Sequence, residues 1–245
     1  MKIQDYILSS IKLNKKLLAI LIDPDKFFIG NQPSTSHIEA LKLNPPDLIF
    51  VGGSIITSDH FDKTIELLKK INIAPVVIFP GESGQINDLA DGILNLALLS
   101  GRNPEYLIGQ QVKSAFKLHR SSLEILPTGY ILIDSGKPTS VSYISNTQPI
   151  PADKPEIAVA TALAAEQMGK AMVYLEGGSG ASKSVNNKLI SAVRSHITIP
   201  LIVGGGINSF ANVTKAWSSG ADIVVIGTAF EIDSSILKQL TQPHK

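Results

Sequence analysis

Short runs that are apolar at nearly every position alternate along the chain with longer stretches whose apolar residues recur at helical period. The runs are LLAILI at 17–22, DLIFV at 47–51, PVVIF at 75–79, GILNL at 92–96, GYILI at 129–133, AMVYL at 171–175, PLIV at 200–203 and DIVVI at 222–226. A strand without a polar face is covered on both sides, as in a parallel sheet flanked by helices. The stretches between supply the covers. Those at 104–114 and 155–168 each open on a proline, which suits the first turn of a helix, where a missing N–H costs nothing. Eight strand runs with helical crossovers predict a single α/β domain over residues 1–245, a (β/α)8 barrel of the TIM type. A doubly wound sheet is the structural alternative, but it more usually has roughly five to seven strands.

Two connections depart from the ideal. PGESGQINDLAD, 80–91, is too short and polar for a full covering helix, which predicts an incomplete third helix and a gap in the outer ring. Such a gap can admit an elongated apolar guest from the side; two short helical turns that close it are the alternative. DSGKPTSVSYISNTQPIPAD, 134–153, shows no periodicity. Unstructured stretches of that length inside a compact domain are usually functional, so it reads as a lid or substrate loop, with a plain surface excursion as the bland alternative.

Composition then removes whole classes. Lys plus Arg is 22 against 21 for Asp plus Glu, which argues against a nucleic-acid partner, since those show as a basic excess. There is no cysteine, so disulfides, thiolate zinc sites and cysteine nucleophiles are excluded. The first ten residues, MKIQDYILSS, do not read as a signal peptide, and no apolar run approaches the roughly 20 residues of a membrane helix. A cytoplasmic protein is expected.

In a barrel, the residues just after each strand share one rim, and that rim carries the chemistry. Here they read DPDK from Asp23, GGS from Gly52, EGGSGAS from Glu176, GGGINS from Gly204 and GTAFE from Gly227. Glycine turns let backbone N–H groups converge on one anion, because no Cβ holds it away. Three such turns after the last three strands, with no arginine among them, point to a phosphate held by neutral dipoles. Asp23 and Ser54, on adjacent strand ends, suit Mg2+, which takes oxygen ligands, few of them from protein. Asp before proline is also an ordinary turn former, so the residues alone leave the metal open. Asp25 reads as a cap and Lys26 as a solvated lysine. Glu176 is the candidate for proton chemistry, or else a carboxylate held by neighbouring N–H groups to shape its loop. The histidines have no metal-ligand spacing, and no lysine lies within a strand run, which weakens a Schiff-base mechanism.

LIDPDK, FVGGS, VYLEGGSGA, VGGGI and GTAFE, in this order from Leu21 to Glu231, resemble the geranylgeranylglyceryl phosphate synthase family of prenyltransferases. TQPIPADKP, 147–155, is similar to the subgroup with archaeal and Bacteroidetes members. The resemblance implies an Mg2+-dependent transfer in which sn-glycerol 1-phosphate attacks a long prenyl diphosphate, such as geranylgeranyl diphosphate. It implies catalytic roles for Glu176 and Tyr174 and a metal site at Asp23 and Ser54. It places glycerol phosphate on Tyr174, Leu175, Glu176, Gly177, Gly178, Ser179, Gly180, Gly204, Gly205, Gly206, Gly227 and Thr228. A homo-oligomer is implied too, as is transient contact with a membrane surface for product release. Leu21 stands where some relatives carry a lysine, which removes one expected phosphate contact. Tyr106 and Phe116 are candidates to limit prenyl length; Phe210 and Trp217 are candidates for interface or core. A phosphosugar isomerase or flavin enzyme on the same barrel, and a non-catalytic prenyl-lipid carrier, are the rival readings.

Overall fold

The computed structural model describes residues 2–241. Eight parallel strands close into a barrel: β1 Leu17–Ile22, β2 Leu48–Val51, β3 Val76–Ile78, β4 Gly92–Leu98, β5 Glu124–Leu132, β6 Met172–Glu176, β7 Leu201–Gly204 and β8 Ile223–Ile226. Closure is made by β1 lying beside β8, with Leu17 opposite Ile223 and Ile20 opposite Ile226. Successive side chains alternate between two apolar layers. Leu17, Ala19, Phe50, Val77, Leu94, Leu126, Tyr174 and Ile202 fill the interior. Leu18, Ile20, Ile49, Val76, Ile93, Val173 and Val203 pack outward against the helices. This is why the strands read as unbroken apolar runs.

Helices cover most of the outer layer: Thr35–Leu43, His60–Ile71, Gln110–Arg120, Pro155–Gln167, Asn187–Arg194 and Phe210–Ser218. Their boundaries follow local chemistry. Pro155 opens its helix at the first turn, Asn186 and Ser209 accept N–H groups at two N-termini, and Asn72 ends a helix in the left-handed region. Between β3 and β4, where the polar 80–91 stretch predicts an incomplete helix, no helix forms at all, and the outer ring is open there. None of the helices among the described residues is long and apolar enough to cross a membrane.

One end of the barrel is shut. The helix Ile3–Lys12 inserts Ile3 and Ile7 into the interior cluster. Glu124, at the start of β5, accepts the N–H groups of Ile3 and Gln4 at 2.5 and 3.0 Å, placing a carboxylate at the helix's positive end. The carboxyl-terminal rim of the strands is left as the open end. Trp217 belongs to the core layer, its Nε1 donating to the Leu17 carbonyl at 3.2 Å, and Phe210 is packed against the same layer.

Candidate active site

A cavity of about 550 Å3 opens at that rim. Glu176, the last residue of β6, lines it and lies opposite Leu132 on β5 and Gly204 on β7. It shares strand parity with Tyr174, which lies in the barrel interior, so its carboxylate turns inward as well. Glu176 is only 5% exposed, and its Oε1 accepts the Gly178 N–H at 2.5 Å. Burial raises its pKa to about 7; the Gly178 N–H and the Tyr174 hydroxyl pull it back only in part. The Tyr174 hydroxyl is buried without a completed hydrogen bond, and burial together with the charge of Glu176 holds its pKa well above the usual phenol value. Tyr130, opposite Tyr174 in register, and Phe79 each bring a ring within 5.4 Å of the Tyr174 ring and form an aromatic floor.

On one flank the lining is mostly backbone: Gly178, Ser179, Gly180, Gly205, Gly206, Asn208, Gly227 and Thr228. Gly205 has φ +83°, and a Cβ there would lie 2.4 Å from Glu176 Oε1 and 2.6 Å from the Gly177 and Gly178 nitrogens. The turn is therefore folded as tightly against the β6 end as atoms allow. Thr228 opens a short helix whose first N–H groups have no intrahelical partner. Among the described residues, no lysine or arginine lines this flank. Three residues of the expected set stand apart from the cavity wall. Leu175 has the opposite parity and packs in the outer layer. The Gly177 N–H is already committed to the Gly204 carbonyl at 2.9 Å. Gly204 instead makes room, since a Cβ there would sit 2.3 Å from the Tyr174 hydroxyl.

The other flank holds Asp23, Lys26, Gly53, Ser54 and Glu231. Asp23 Oδ1 accepts the Asp25 N–H at 3.1 Å, and a Cβ on Gly53 would lie 3.5 Å from the Asp23 carboxyl, so Ser54 follows directly on the residue packed against that carboxylate. Asp25 is more than a local cap. It accepts the N–H and hydroxyl of Thr57, both at 2.8 Å, and those of Ser58, at 3.2 and 2.5 Å. Partial burial opposes its charge, but these four donors bring its pKa down to about 2. It thus clamps the loop that carries Ser54 to the loop that carries Asp23. Lys26 is exposed, as expected of a solvated lysine, but it is also paired. Its Nζ bridges Asp23 Oδ2 at 3.2 Å and Glu231 Oε2 at 3.0 Å.

From these two flanks the cavity runs as an apolar arm across β4. Ile93 and Asn95 on the outer face and Leu94, Leu96 and Leu98 on the inner face all line it, which requires an opening in the helical cover. Ile86, Tyr106, Leu118, Val141 and Ile144 extend the walls. The expected gap is thus the place where the cavity reaches the outer layer. The 134–153 segment contributes Ser140, Val141, Ile144 and Ser145 to the lining. Ser140–Ser145 is helical, opened by a reciprocal cap between Thr139 and Ser142. Tyr106 donates to the Ile144 carbonyl at 3.4 Å, and Asn103 to that of Ser145 at 2.6 Å. Tyr106 lines the arm, whereas Phe116 is 76% exposed and does not.

A model of the PcrB family matches residues 11–242. Geranylgeranylglyceryl phosphate synthase of Zunongwangia profunda is 49% identical over 230 residues, covering 94% of this chain and 97% of that protein. The protein of the same name from Thermococcus gammatolerans is 38% identical over 238 residues, covering 97% and 92%. Among solved structures, (S)-3-O-geranylgeranylglyceryl phosphate synthase from Thermoplasma acidophilum, in complex with its substrate sn-glycerol-1-phosphate, superposes with a TM-score of 0.88 at 33% identity, covering 98% of this chain and 96% of that one.

Proposed function

The chain belongs to the PcrB family, and from that premise we propose that it is a prenyltransferase joining sn-glycerol 1-phosphate to a long-chain prenyl diphosphate, geranylgeranyl diphosphate by the names of its relatives. The observation that carries this reading is a single cavity with an amide-lined flank, an apolar arm and a buried carboxylate between them. A phosphosugar isomerase has no use for the arm, and a lipid carrier has no use for a carboxylate whose pKa is raised to about 7.

In this reading the phosphate of glycerol 1-phosphate rests on the turns at Gly178–Gly180, Gly205–Gly206 and Gly227–Thr228. Its primary hydroxyl faces Glu176, which takes the proton as the oxygen attacks the first carbon of the prenyl chain. The new C–O bond forms as the bond from that carbon to the diphosphate breaks, and diphosphate leaves. Tyr174 carries a buried hydroxyl free to orient the attacking oxygen or Glu176 itself. The prenyl chain lies along the arm over β4, where burial contributes about 25 cal/mol per Å2 of apolar surface.

Magnesium fits the other flank. Among the described residues, the charged groups lining the cavity are the carboxylates of Asp23, Glu82, Glu176 and Glu231 against the one ammonium group of Lys26, an excess of acidic groups facing two phosphorylated substrates. Asp23 and Ser54 would hold the ion, which takes few protein oxygens and shares phosphate oxygens. When bound, it offsets the charge that grows on the departing diphosphate. Asp23→Asn is expected to raise the magnesium concentration needed for half-maximal turnover by at least about tenfold. A magnesium titration of both proteins measures this, and superimposable curves remove Asp23 from the site.

Tyr106→Ala is expected to shift preference toward longer prenyl diphosphates, because it deletes a wall of the arm, while Phe116→Ala leaves chain preference unchanged. Competition between donors of graded length, with products separated by mass, reads both. The exposed Ile108, Val112 and Phe116 recur at one-turn spacing and give an apolar stripe beside the arm. It supports a homo-oligomer, or transient contact with a membrane surface when the product leaves. The deciding test of the reading itself is incubation with glycerol 1-phosphate, Mg2+ and prenyl diphosphates, with the ether identified by mass. Absence of any ether from every donor length overturns it.

A further inference from the structure

Lys26 is the only cationic side chain lining the cavity among the described residues. It stands one short helical turn after Asp23, on the loop following β1, and reaches Glu231, which follows β8. Those strands are neighbours only because the barrel closes between them. The three groups differ in freedom. The Asp23 and Glu231 side chains are 17% and 14% exposed, while that of Lys26 is 49% exposed. The two acids are thus fixed by their surroundings, and the lysine stem is free to turn into the cavity.

Both oxygens of Asp23 are engaged as the structure stands: Oδ1 by the Asp25 N–H at 3.1 Å, Oδ2 by Lys26 at 3.2 Å. A metal arriving at Asp23 meets an ammonium group already neutralising it. When the metal takes Asp23, like charge drives Lys26 away, and the nearest unsatisfied anion is the diphosphate that the metal shares. Glu231 keeps the lysine at the rim throughout, through its own contact at 3.0 Å. Among the described residues no cationic side chain lines the glycine flank, which confines this exchange to the diphosphate side.

We propose that Lys26 is a tethered counter-ion of the diphosphate subsite, holding Asp23 when the subsite is empty and moving onto the diphosphate oxygens when the metal occupies Asp23, with Glu231 as the residue that positions it. The inference rests on the prenyltransferase reading. It explains how Asp23 keeps a cationic partner both when the subsite is empty and when it is loaded. It also gives the reaction an order: the metal is held weakly alone and firmly together with a diphosphate.

Two binding measurements on the folded protein test it without turnover. Calorimetric titration with inorganic pyrophosphate at saturating Mg2+ is expected to show about tenfold weaker binding in Lys26→Met, with Lys26→Arg close to wild type. Titration with Mn2+ alone, followed by electron paramagnetic resonance, is expected to show tighter binding in Lys26→Met, because Asp23 has lost its competitor. Opposite shifts in the two affinities separate counter-ion exchange from a merely structural ion pair, which would move both the same way or neither. Equal pyrophosphate affinity in wild type and Lys26→Met, or Mn2+ binding that is unchanged or weaker in that variant, overturns the inference and leaves the prenyltransferase reading standing. Wild-type protein that takes up no pyrophosphate at all overturns both.

Discussion

Glu176→Gln is expected to lose about 10²–10⁴-fold in kcat, the usual weight of a general base, while glycerol phosphate binds nearly as well as before. The same variant is expected to melt at a higher temperature than wild type at pH 8. Both outcomes come from one number. The Glu176 carboxyl has its pKa raised from 4.5 to about 7, chiefly by burial. A carboxyl that holds its proton more tightly folded than unfolded contributes stability that is complete below the unfolded value near 4.5. That contribution is lost as pH rises through 7. Ionising the group therefore costs the fold on the order of 3 kcal/mol at alkaline pH. Glutamine has no charge to desolvate and keeps an oxygen to accept the Gly178 N–H, so it escapes that cost. Activity runs the other way, since a base works ionised, and kcat/KM should climb with pH to a plateau above about 7. Melting curves of both proteins between pH 5 and 8, set beside the pH profile of kcat/KM, make the check. A constant difference in melting temperature across that range means Glu176 does not titrate there, and turnover that survives the substitution removes it as the base.

Much of this arrangement was legible because barrel strands are buried on both faces and barrel sites sit at strand ends. Once the apolar runs are ordered, the residues following them must share a rim, so Asp23, Ser54, Glu176 and the glycine turns come together without further information. The polar 80–91 stretch was legible for an equally direct reason: a segment with few apolar residues cannot cover a strand. β5 was read short, as 129–133, because Glu124 and Pro127 interrupt its apolar run; in the structure the strand begins at Glu124, whose carboxylate is used to close the barrel floor. The helix Ser140–Ser145 escaped notice because six residues are too few to show a period.

What was not legible depends on closure and parity. Lys26 and Glu231 are 205 residues apart, and only the meeting of β1 with β8 makes them partners. Tyr130 reads as one more core residue until its register with Tyr174 is known. Leu175 sits inside a motif whose neighbours reach the cavity, yet alternation along the strand turns it into the outer layer. A signal was available in each case. Counting strand parity inward from Glu176 separates Tyr174 from Leu175, and the acid in GTAFE lies one turn past a strand that must adjoin DPDK if the barrel closes.

The glycine flank gives the second large effect. Gly205→Ala is expected to cut kcat/KM by about 10²-fold or more and to weaken glycerol phosphate binding, with the chain still folded. At φ +83° the new methyl costs about 1–2 kcal/mol in backbone strain alone. It would also lie 2.4 Å from Glu176 Oε1 and 2.6 Å from the backbone nitrogens of Gly177 and Gly178, which is inside van der Waals contact for each. Two of these atoms belong to the backbone at the end of β6 and cannot rotate away. Either the 204–206 turn swings outward, dispersing the amides proposed to hold the phosphate, or Glu176 is pushed from its place; displacement of about 1 Å is enough for a loss of this size. Gly169→Ala is the matched control. It has φ +75° and lies outside the cavity lining, with nothing within 4 Å of its added Cβ, so it carries the strain without the collision. Calorimetric titration of both variants with glycerol phosphate, beside their melting temperatures, separates the terms. Strain by itself lowers both melting temperatures alike, whereas a lost amide cradle weakens binding in Gly205→Ala alone. If Gly205→Ala binds glycerol phosphate as tightly as wild type, the phosphate is not held where the turn meets Glu176, and the assignment of the two flanks fails with it.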